Sequence, residues 1–230
     1  LVILLYVGVM DDIVVMRAYK KLIAQIVVAT LLVIGSDVRI RSLFGVFGVY
    51  ELNYFLSVIF SIVTFIILVN AYNLIDGIDG LAGVYGVICF SLFGISYYRL
   101  GEYNYPLVIL STTIIGTVIG FLYYNLSDRS KKIFMGDTGS LALGGILAAV
   151  ALLTKTEILL ILVGLVFVAE AMSVIIQVVS FKTRGKRVFL MSPIHHHFEL
   201  KGWSETKVVT VFWSIGIICS AVALGILKLS

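Results

Sequence analysis

The sequence predicts an all-α protein that crosses a membrane several times, and three observations carry that prediction. Hydrophobic residues make up 60% of the chain and charged residues only 13%, whereas soluble domains have about a quarter of their residues charged. The mean hydropathy is +1.11. Apolar runs recur that can cross about 30 Å of hydrocarbon as helices, the structure that bonds every backbone amide internally.

Seven full spans and one partial span account for these runs. The partial span is the apolar segment 1–10, and the short spans 22–35 and 139–153 must take in flanking residues to cross fully. A small extracytoplasmic β-hairpin is predicted within 36–53, where the residues alternate and turn between two spans. The seven full spans are 22–35, 54–72, 81–98, 106–124, 139–153, 157–178 and 208–228.

The distribution of positive charge predicts the orientation. If the four polar clusters described below share one side, that side holds all but five of the 17 lysines and arginines, and the positive-inside rule makes it cytoplasmic. The net charge of +4 then reflects topology and contact with anionic lipid headgroups, with no role in binding nucleic acid. No linker or repeat divides residues 1–230, which favours a single transmembrane domain. The five exceptions are Arg39, Arg41, Arg99, Lys155 and Lys228.

Two polar clusters lie in the first third of the chain. Asp11 and Asp12 are paired carboxylates of the kind that suit Mg²⁺, although a solvated helix end would show the same pair. Asn70, Asn73 and Asp76 are spaced three apart and share a helix face, after which Gly77 lets the backbone turn toward Asp79. Polar groups in register at the end of a span indicate function.

A third cluster, residues 134–140, places Asp137 directly before a span. Gly136 frees the backbone there, and the amides at the start of the span can point at a phosphate. The alternative is that Asp137 or Thr138 is only the helix N-cap.

The fourth cluster contains three consecutive histidines, His195, His196 and His197. They cannot all face one metal from a regular helix, and they suit hydrogen bonds to phosphates better than a zinc site. Gln177 lies near the cytoplasmic end of the preceding span and could reach the same site. Glu170 is the one acid well inside a span, which makes it either a partner between helices or, in a secondary transporter, a proton relay.

Together these motifs resemble the polyprenyl-phosphate N-acetylhexosamine-1-phosphate transferases over essentially all 230 residues. The run 192–203 (SPIHHHFELKGW) is similar to the branch that transfers phospho-N-acetylmuramoyl-pentapeptide. Residues 70–76 (NAYNLID), the segment 37–51 and the position of Asn125 are closer to the branch that transfers N-acetylglucosamine-1-phosphate. The family has a lysine four residues after the second of its paired acids. In this chain Val15 stands near that place, and Lys20 or Lys21 could substitute for the lysine.

The resemblance implies a reaction at the cytoplasmic face of the bacterial inner membrane. Undecaprenyl phosphate attacks the β-phosphorus of a UDP-sugar, giving a lipid-linked sugar pyrophosphate and UMP, with Mg²⁺ required. The favoured donor is UDP-MurNAc-pentapeptide, which gives lipid I of peptidoglycan synthesis. The alternatives are another UDP-N-acetylhexosamine such as UDP-N-acetylglucosamine and, more distantly, a secondary transporter, although transporters have inverted repeats and acids near the midplane.

The resemblance also implies roles for individual residues. Asp137 is the first candidate for the Mg²⁺ ligand and Asp12 the second, while Asp11 positions or deprotonates the lipid phosphate. Phe134 packs on uracil and Gly136 permits close backbone approach. The remaining substrate-binding candidates are Asn70, Asn73, Asp76, Asp79, Gln177, His195, His196 and His197.

The family has ten spans and commonly dimerises. Aligning the motifs makes segment 1–10 the end of its third span, so that about the first quarter of the family's length precedes residue 1. The resemblance therefore implies further N-terminal spans and a homodimer. A natural intermediate member or a join of two homologues would each explain the mixed motifs.

Overall fold

A computed structural model describes residues 1–43, 50–128, 130–153 and 164–229, with side chains described up to residue 225. Helices dominate these residues. Helix α2 continues as a π-helical turn over Leu31–Gly35, and a 3₁₀ turn, Glu102–Asn104, leads into α5. The α-helices of this part of the chain are α1 (Val2–Val14), α2 (Ala18–Thr30), α3 (Tyr54–Ile75), α4 (Leu81–Arg99), α5 (Tyr105–Asn125), α6 (Gly136–Leu153), α7 (Leu165–Arg184), α8 (Ile194–Leu200) and α9 (Glu205–Leu229).

Seven helical segments of the described chain are long and apolar enough to cross a membrane, which confirms the seven predicted spans of a multi-pass membrane protein. Both short spans take in flanking residues as expected, beginning at Ala18 and Gly136. The span predicted at 157–178 corresponds to α7, and residues 157–163 lie outside the described part.

The predicted hairpin at 36–53 is not supported. Residues 36–43 and 50–53 contain no strand, and 44–49 lie outside the described residues. One backbone bond, from Leu52 N to Arg41 O at 2.9 Å, joins the two arms. The amide of Ile40 donates to Ser61 Oγ at 2.8 Å, and its carbonyl accepts from Ser57 Oγ at 2.5 Å. Hydroxyls of α3 therefore occupy the backbone groups that a strand ladder would need.

The chain forms two compact units, each with its own packing. Unit 1 comprises Leu1–Asn73 and Gly136–Leu160, and unit 2 comprises Leu74–Met135 and Ile161–Ser230. The expectation of a single domain over 1–230 stays a prediction.

In unit 1, α1 packs along α6. The two backbones approach closely at Gly8, where an added Cβ would lie 2.5 Å from the Cα of Thr138. Only glycine permits this distance, and small residues at helix contacts are typical of membrane proteins. The buried side chains around this contact include Leu4, Phe65 and Leu141. The packing brings the Asp11-Asp12 end of α1 to the first turn of α6.

In unit 2, α4 packs between α5 and α9 and has the most buried face of the spanning helices. Tyr85 of α4 is buried and lies edge-on to Phe167 of α7, with ring centroids 5.2 Å apart. The short helix α8 packs against α7 and α9. This arrangement holds the turn 76–80, at the start of α4, beside the histidines of α8.

Candidate active site

Unit 1 contains a group of charged and amide side chains at helix ends, here called the carboxylate cluster: Asp11, Asp12, Lys21, Asn73 and Asp137. Lys21 Nζ lies 2.7 Å from Asp137 Oδ2 and 3.1 Å from Asp11 Oδ2. Asn73 Nδ2 donates to the other oxygen of Asp137 at 3.0 Å. Three helices, α1, α2 and α3, therefore position the one carboxylate at the start of α6.

Asp12 binds the N-terminus of α6. Its Oδ1 accepts from Asp137 N at 2.9 Å, and its Oδ2 accepts from Thr138 N at 3.0 Å and from Thr138 Oγ1 at 2.5 Å. Burial alone would raise the pKa of Asp12, but these hydrogen bonds outweigh it and lower the pKa. Gly136 adopts a φ of +61° beside this carboxylate. The cap of α6 thus comes from another helix, in place of Asp137 or Thr138.

This capping corrects one expectation about phosphate binding. The first amides of α6 were expected to be available to a phosphate, yet the amides of Asp137 and Thr138 already donate to Asp12. The helix dipole favours negative charge at a helix N-terminus, whether a bound phosphate or a side-chain carboxylate supplies it. The protein's own side chain fills that position.

The carboxylate cluster has more negative than positive charge. It contains three carboxylates and one ammonium, so its formal charge is −2. Burial alone would raise the pKa of Asp11, but hydrogen bonds from the Met16 amide at 2.5 Å and from Lys21 lower it, so the carboxylate is ionised at neutral pH. The charge and the oxygen donors fit a divalent cation of the Mg²⁺ kind.

The described residues include no group of three or more His, Cys, Asp or Glu side chains able to enclose a metal. This does not disagree with the donor set, since Mg²⁺ is usually held by one or two carboxylates together with waters and substrate phosphates. Asp137 and Asp11 are the side chains that could contribute. The side-chain oxygens of Asp12 are engaged by α6, so its assignment as a second ligand stays a prediction.

One turn deeper, Asn70 and Gln25 form a reciprocal amide pair. Asn70 Nδ2 donates to Gln25 Oε1 at 2.6 Å, and Gln25 Nε2 donates back to Asn70 Oδ1 at 3.3 Å. Gln25 is buried. The pair joins α2 to α3 directly below Lys21 and Asn73, so Asn70 is placed to support the cluster.

In unit 2, the turn 76–80 is tied to the segment that precedes α6. Gly80 N donates to the buried Asn125 at 2.7 Å, and Asn125 Nδ2 donates to Ile133 O at 2.9 Å. Asp79 forms an ion pair with Lys132, whose Nζ lies 5.5 Å above the ring centre of Phe134. The Phe134 side chain is 76% exposed, which leaves its ring available for stacking.

The three histidines have three different partners. His195 Nδ1 lies 3.2 Å from Glu170 Oε1, and both side chains are fully buried. His196 Nδ1 lies 2.6 Å from Glu199 Oε2. His197 Nδ1 accepts the amide of Leu190 at 3.1 Å. The histidines are thus divided among separate contacts, and His195 is sealed from solvent.

Gln177 binds the loop that follows α7. Its Oε1 accepts from the amides of Val188 and Phe189 at 3.0 and 2.9 Å, and its Nε2 donates to Phe189 O at 3.0 Å. Gln177 and His197 therefore brace the same loop from two sides. The contact of Gln177 with substrate stays a prediction.

Several polar residues join the candidate site without having been singled out as site residues. Lys132 and Asn125 connect Asp79 and the turn 76–80 to the segment before α6, and Glu199 holds His196. Lys132 lies five residues before Asp137, and this closeness in sequence is the feature that could have identified it as a site residue. Glu199 lies in the run 192–203 that carries the resemblance, three residues after His196, and that position was its signal.

Comparisons with known proteins show the family of the chain and several similar proteins. The model of glycosyl transferase family 4 matches residues 1–155. A phospho-N-acetylmuramoyl-pentapeptide-transferase of Lactiplantibacillus plantarum is 41% identical over 217 residues, which cover 91% of this chain and 65% of the relative. The enzyme of that name from Bacillus mycoides is 43% identical over 213 residues, covering 90% of this chain and 64% of the relative.

Identity is higher over a shorter stretch. The phospho-N-acetylmuramoyl-pentapeptide-transferase of Halalkalibacterium halodurans is 57% identical over 120 residues, which are 52% of this chain and 36% of the relative. The chain spans about two thirds of the length of the curated relatives that it matches along most of its own length. The family match covers well over half of the sequence and agrees with the resemblance in its polar motifs, and the chain therefore belongs to glycosyl transferase family 4.

Proposed function

We propose that the protein transfers phospho-N-acetylmuramoyl-pentapeptide from UDP to undecaprenyl phosphate, forming lipid I and UMP. The observation that carries this proposal is the carboxylate cluster, an ionised group with a formal charge of −2 at the ends of spanning helices. A water-soluble nucleotide and a membrane lipid can meet only at such a boundary. The relatives that share 41% and 57% identity bear the name of this activity.

Asp137 and Asp11 would hold Mg²⁺, which when bound would neutralise negative charge on the pyrophosphate of the UDP-sugar donor. Asp137 is oriented for this role by Asn73 and Lys21. Asp12 acts on Asp137 indirectly, because it fixes the first turn of α6 from which Asp137 projects.

The lipid phosphate needs positioning more than deprotonation. A phosphate monoester has a second pKa near 6 and is mostly dianionic at neutral pH. Asp11 and Lys21 therefore act by placing the nucleophile, and the Lys21 ammonium balances its charge. Lys21 supplies the cation that the family's missing lysine would have provided, since its Nζ lies between Asp11 and Asp137.

Unit 2 supplies the groups for the nucleotide in this proposal. The exposed ring of Phe134 packs on uracil, and Asp79, paired with Lys132, lies on the adjoining turn with Asp76. His196 is half-buried and holds phosphate or the muramoyl-peptide part. A site at the cytoplasmic face of the plasma membrane and a homodimer belong to the same proposal.

The second candidate donor is UDP-N-acetylglucosamine. The motif 70–76 is closer to the branch that transfers N-acetylglucosamine-1-phosphate, and the family match covers the half of the chain that contains it. The relatives compared here are named for the muramoyl-pentapeptide, which favours that donor. They are also transferases, which weighs against the transporter alternative.

The test measures UMP release by the full-length protein in vesicles with undecaprenyl phosphate. Each donor, UDP-MurNAc-pentapeptide and UDP-N-acetylglucosamine, is supplied separately, and the lipid product is identified by its mass. We expect release with the muramoyl donor, abolished by chelating divalent metal and restored by Mg²⁺. Release with UDP-N-acetylglucosamine alone would reassign the donor, and no release with either would overturn the transferase proposal.

A further inference from the structure

A buried acid and a buried imidazole meet inside unit 2, between α7 and α8. Glu170 Oε1 lies 3.2 Å from His195 Nδ1, and both side chains are fully buried. The contact has the distance of an ion pair, while the carboxylate and ring nitrogens have no well-angled hydrogen bond among the described residues. Burying such groups is costly unless they are paired and hydrogen-bonded.

The other edge of the His195 ring faces the turn 76–80. A Cβ added at Gly77 would lie 2.6 Å from His195 Nε2 and 3.1 Å from its Cε1. These distances are too short for any side chain. The backbone of the turn that carries Asp76 and Asp79 therefore rests directly on the His195 ring.

The neighbouring His196 shows the same orientation. Its Nδ1 lies 2.6 Å from Glu199 Oε2, and its Nε2 would lie 3.6 Å from the added Cβ at Gly77. Each imidazole thus has Nδ1 toward a carboxylate and Nε2 toward Gly77. A carboxylate at Nδ1 fixes both the ring orientation and the tautomer of a histidine.

We propose that Glu170 is a positioning residue for the nucleotide-binding turn: it orients His195, and the His195 ring sets the position of Gly77 and with it Asp76 and Asp79. This inference rests on the proposed function, because it assigns the turn to the sugar nucleotide. It revises the role expected for His195, which acts through the turn rather than by touching phosphate. A pair that only joined α7 to α8 would change stability and leave substrate affinity alone.

The first test uses the full-length protein with Glu170→Leu and Glu170→Gln, measuring KM for the sugar nucleotide, kcat for UMP release, and the melting temperature. Loss of a positioning contact should raise KM about tenfold with kcat within about threefold. Glu170→Gln should recover most of the loss, because its amide oxygen can still accept from Nδ1. The control is Ser96→Ala, which removes a buried hydroxyl that bonds only within α4 in the described structure. An unchanged KM in Glu170→Leu would overturn the proposal.

A second test keeps the proposal falsifiable if Glu170→Leu does not fold. Gly77→Ala and His195→Ala should each raise KM about tenfold, and the double variant should show about tenfold rather than about a hundredfold, because the added methyl fills the space that the ring leaves. Multiplying effects would show that the ring does not hold the turn, which overturns the proposal.

The two proposals fail in different ways. If the wild-type protein neither binds UDP nor releases UMP with either donor, the proposed function fails and the positioning role falls with it. If the wild type is active and the Glu170 and Gly77 variants show unchanged or multiplying KM effects, only the positioning role fails.

Discussion

The carboxylate cluster of unit 1 and the two histidines that contact acids in unit 2, His195 and His196, differ in solvent exposure and in charge balance. In unit 1, Lys21, Asp11 and Asp137 keep 25%, 14% and 20% of their side-chain surface exposed, and the cluster has a formal charge of −2. In unit 2, the Glu170 and His195 side chains are fully buried, and Glu170 and Glu199 each have an imidazole partner.

The difference teaches which polar motif can bind a ligand directly. A partly exposed group with excess negative charge can accept a cation without first breaking its own contacts. A sealed pair cannot admit a ligand of that size, but it can hold backbone at a fixed distance. Three histidines in sequence look like ligands, yet burial assigns His195 to the second kind.

The sharpest way to break this comparison is Asp137→Asn in the full-length protein. The change removes the charge of the residue that three helices orient, and we expect UMP release to fall about a thousandfold with folding preserved. The matched control is Asp37→Asn, an exposed carboxylate paired with Arg39 and Arg41, which should leave activity unchanged. Mg²⁺-dependent release by Asp137→Asn at the wild-type rate would remove Asp137 from its role.

Lys21→Met tests the excess charge of the carboxylate cluster. Without the ammonium, Asp11 and Asp137 lose the cation between them, and we expect kcat to fall about a hundredfold because positive charge at the reacting phosphates is lost. The exposed neighbour Lys20→Met is the control and should change kcat little. Equal effects of the two variants would show that the position of Lys21 between Asp11 and Asp137 is unimportant.

Asp12→Ala tests whether the cap of α6 is a separate function from binding. Losing a helix N-cap should destabilise the protein by about 1 kcal/mol, measured as a lower melting temperature in detergent. The folded pKa of Asp12 is lowered, so its contribution is full above its ordinary value of 3.8 and is lost as pH falls through the lower folded value. The difference between Asp12→Ala and wild type should therefore stay constant from neutral pH down to 3.8 and shrink below it. A difference that shrinks near neutral pH would contradict the capping role.

The smallest expected effect concerns the amide pair beneath the carboxylate cluster. Gln25→Leu and Asn70→Leu, alone and together, form a double-mutant cycle whose coupling should be about 0.6 kcal/mol, the average for hydrogen bonds inside membrane proteins. Melting temperatures in detergent measure it. If the coupling were absent, the pair would not join α2 to α3, and support of Lys21 and Asn73 would have to come from packing alone.

Much of the fold follows from the sequence because hydrocarbon imposes one solution on a long apolar run. The spans at 54–72 and 81–98 are found within a few residues as α3 and α4. The segment 36–43 could not be predicted in the same way. Its alternating pattern resembles a strand, but Ser57 and Ser61 of α3 bind its backbone, and that contact depends on which helix lies beside it.

The candidate site also has a part that the sequence predicts and a part that it does not. Asp11, Asn73 and Asp137 were identified from residue type and spacing, and the structure brings them together in unit 1. The residues that each polar side chain contacts could not be predicted from the sequence. Asp12 binds α6 across 125 residues of sequence, and Glu170 meets a histidine that lies beyond a loop.

By itself the sequence determined that this is a multi-pass helical membrane protein with polar groups at the ends of its spans. Composition and local spacing suffice for that, since each span satisfies its own backbone. The family followed from similarity to known proteins. Only the tertiary structure decided which polar groups bind each other: that Asp12 caps a helix, that Lys21 lies between two carboxylates, and that His195 is sealed against Gly77. Those outcomes depend on distances between helices, which are set by close contacts such as Gly8 on Thr138 and leave no local trace in the chain.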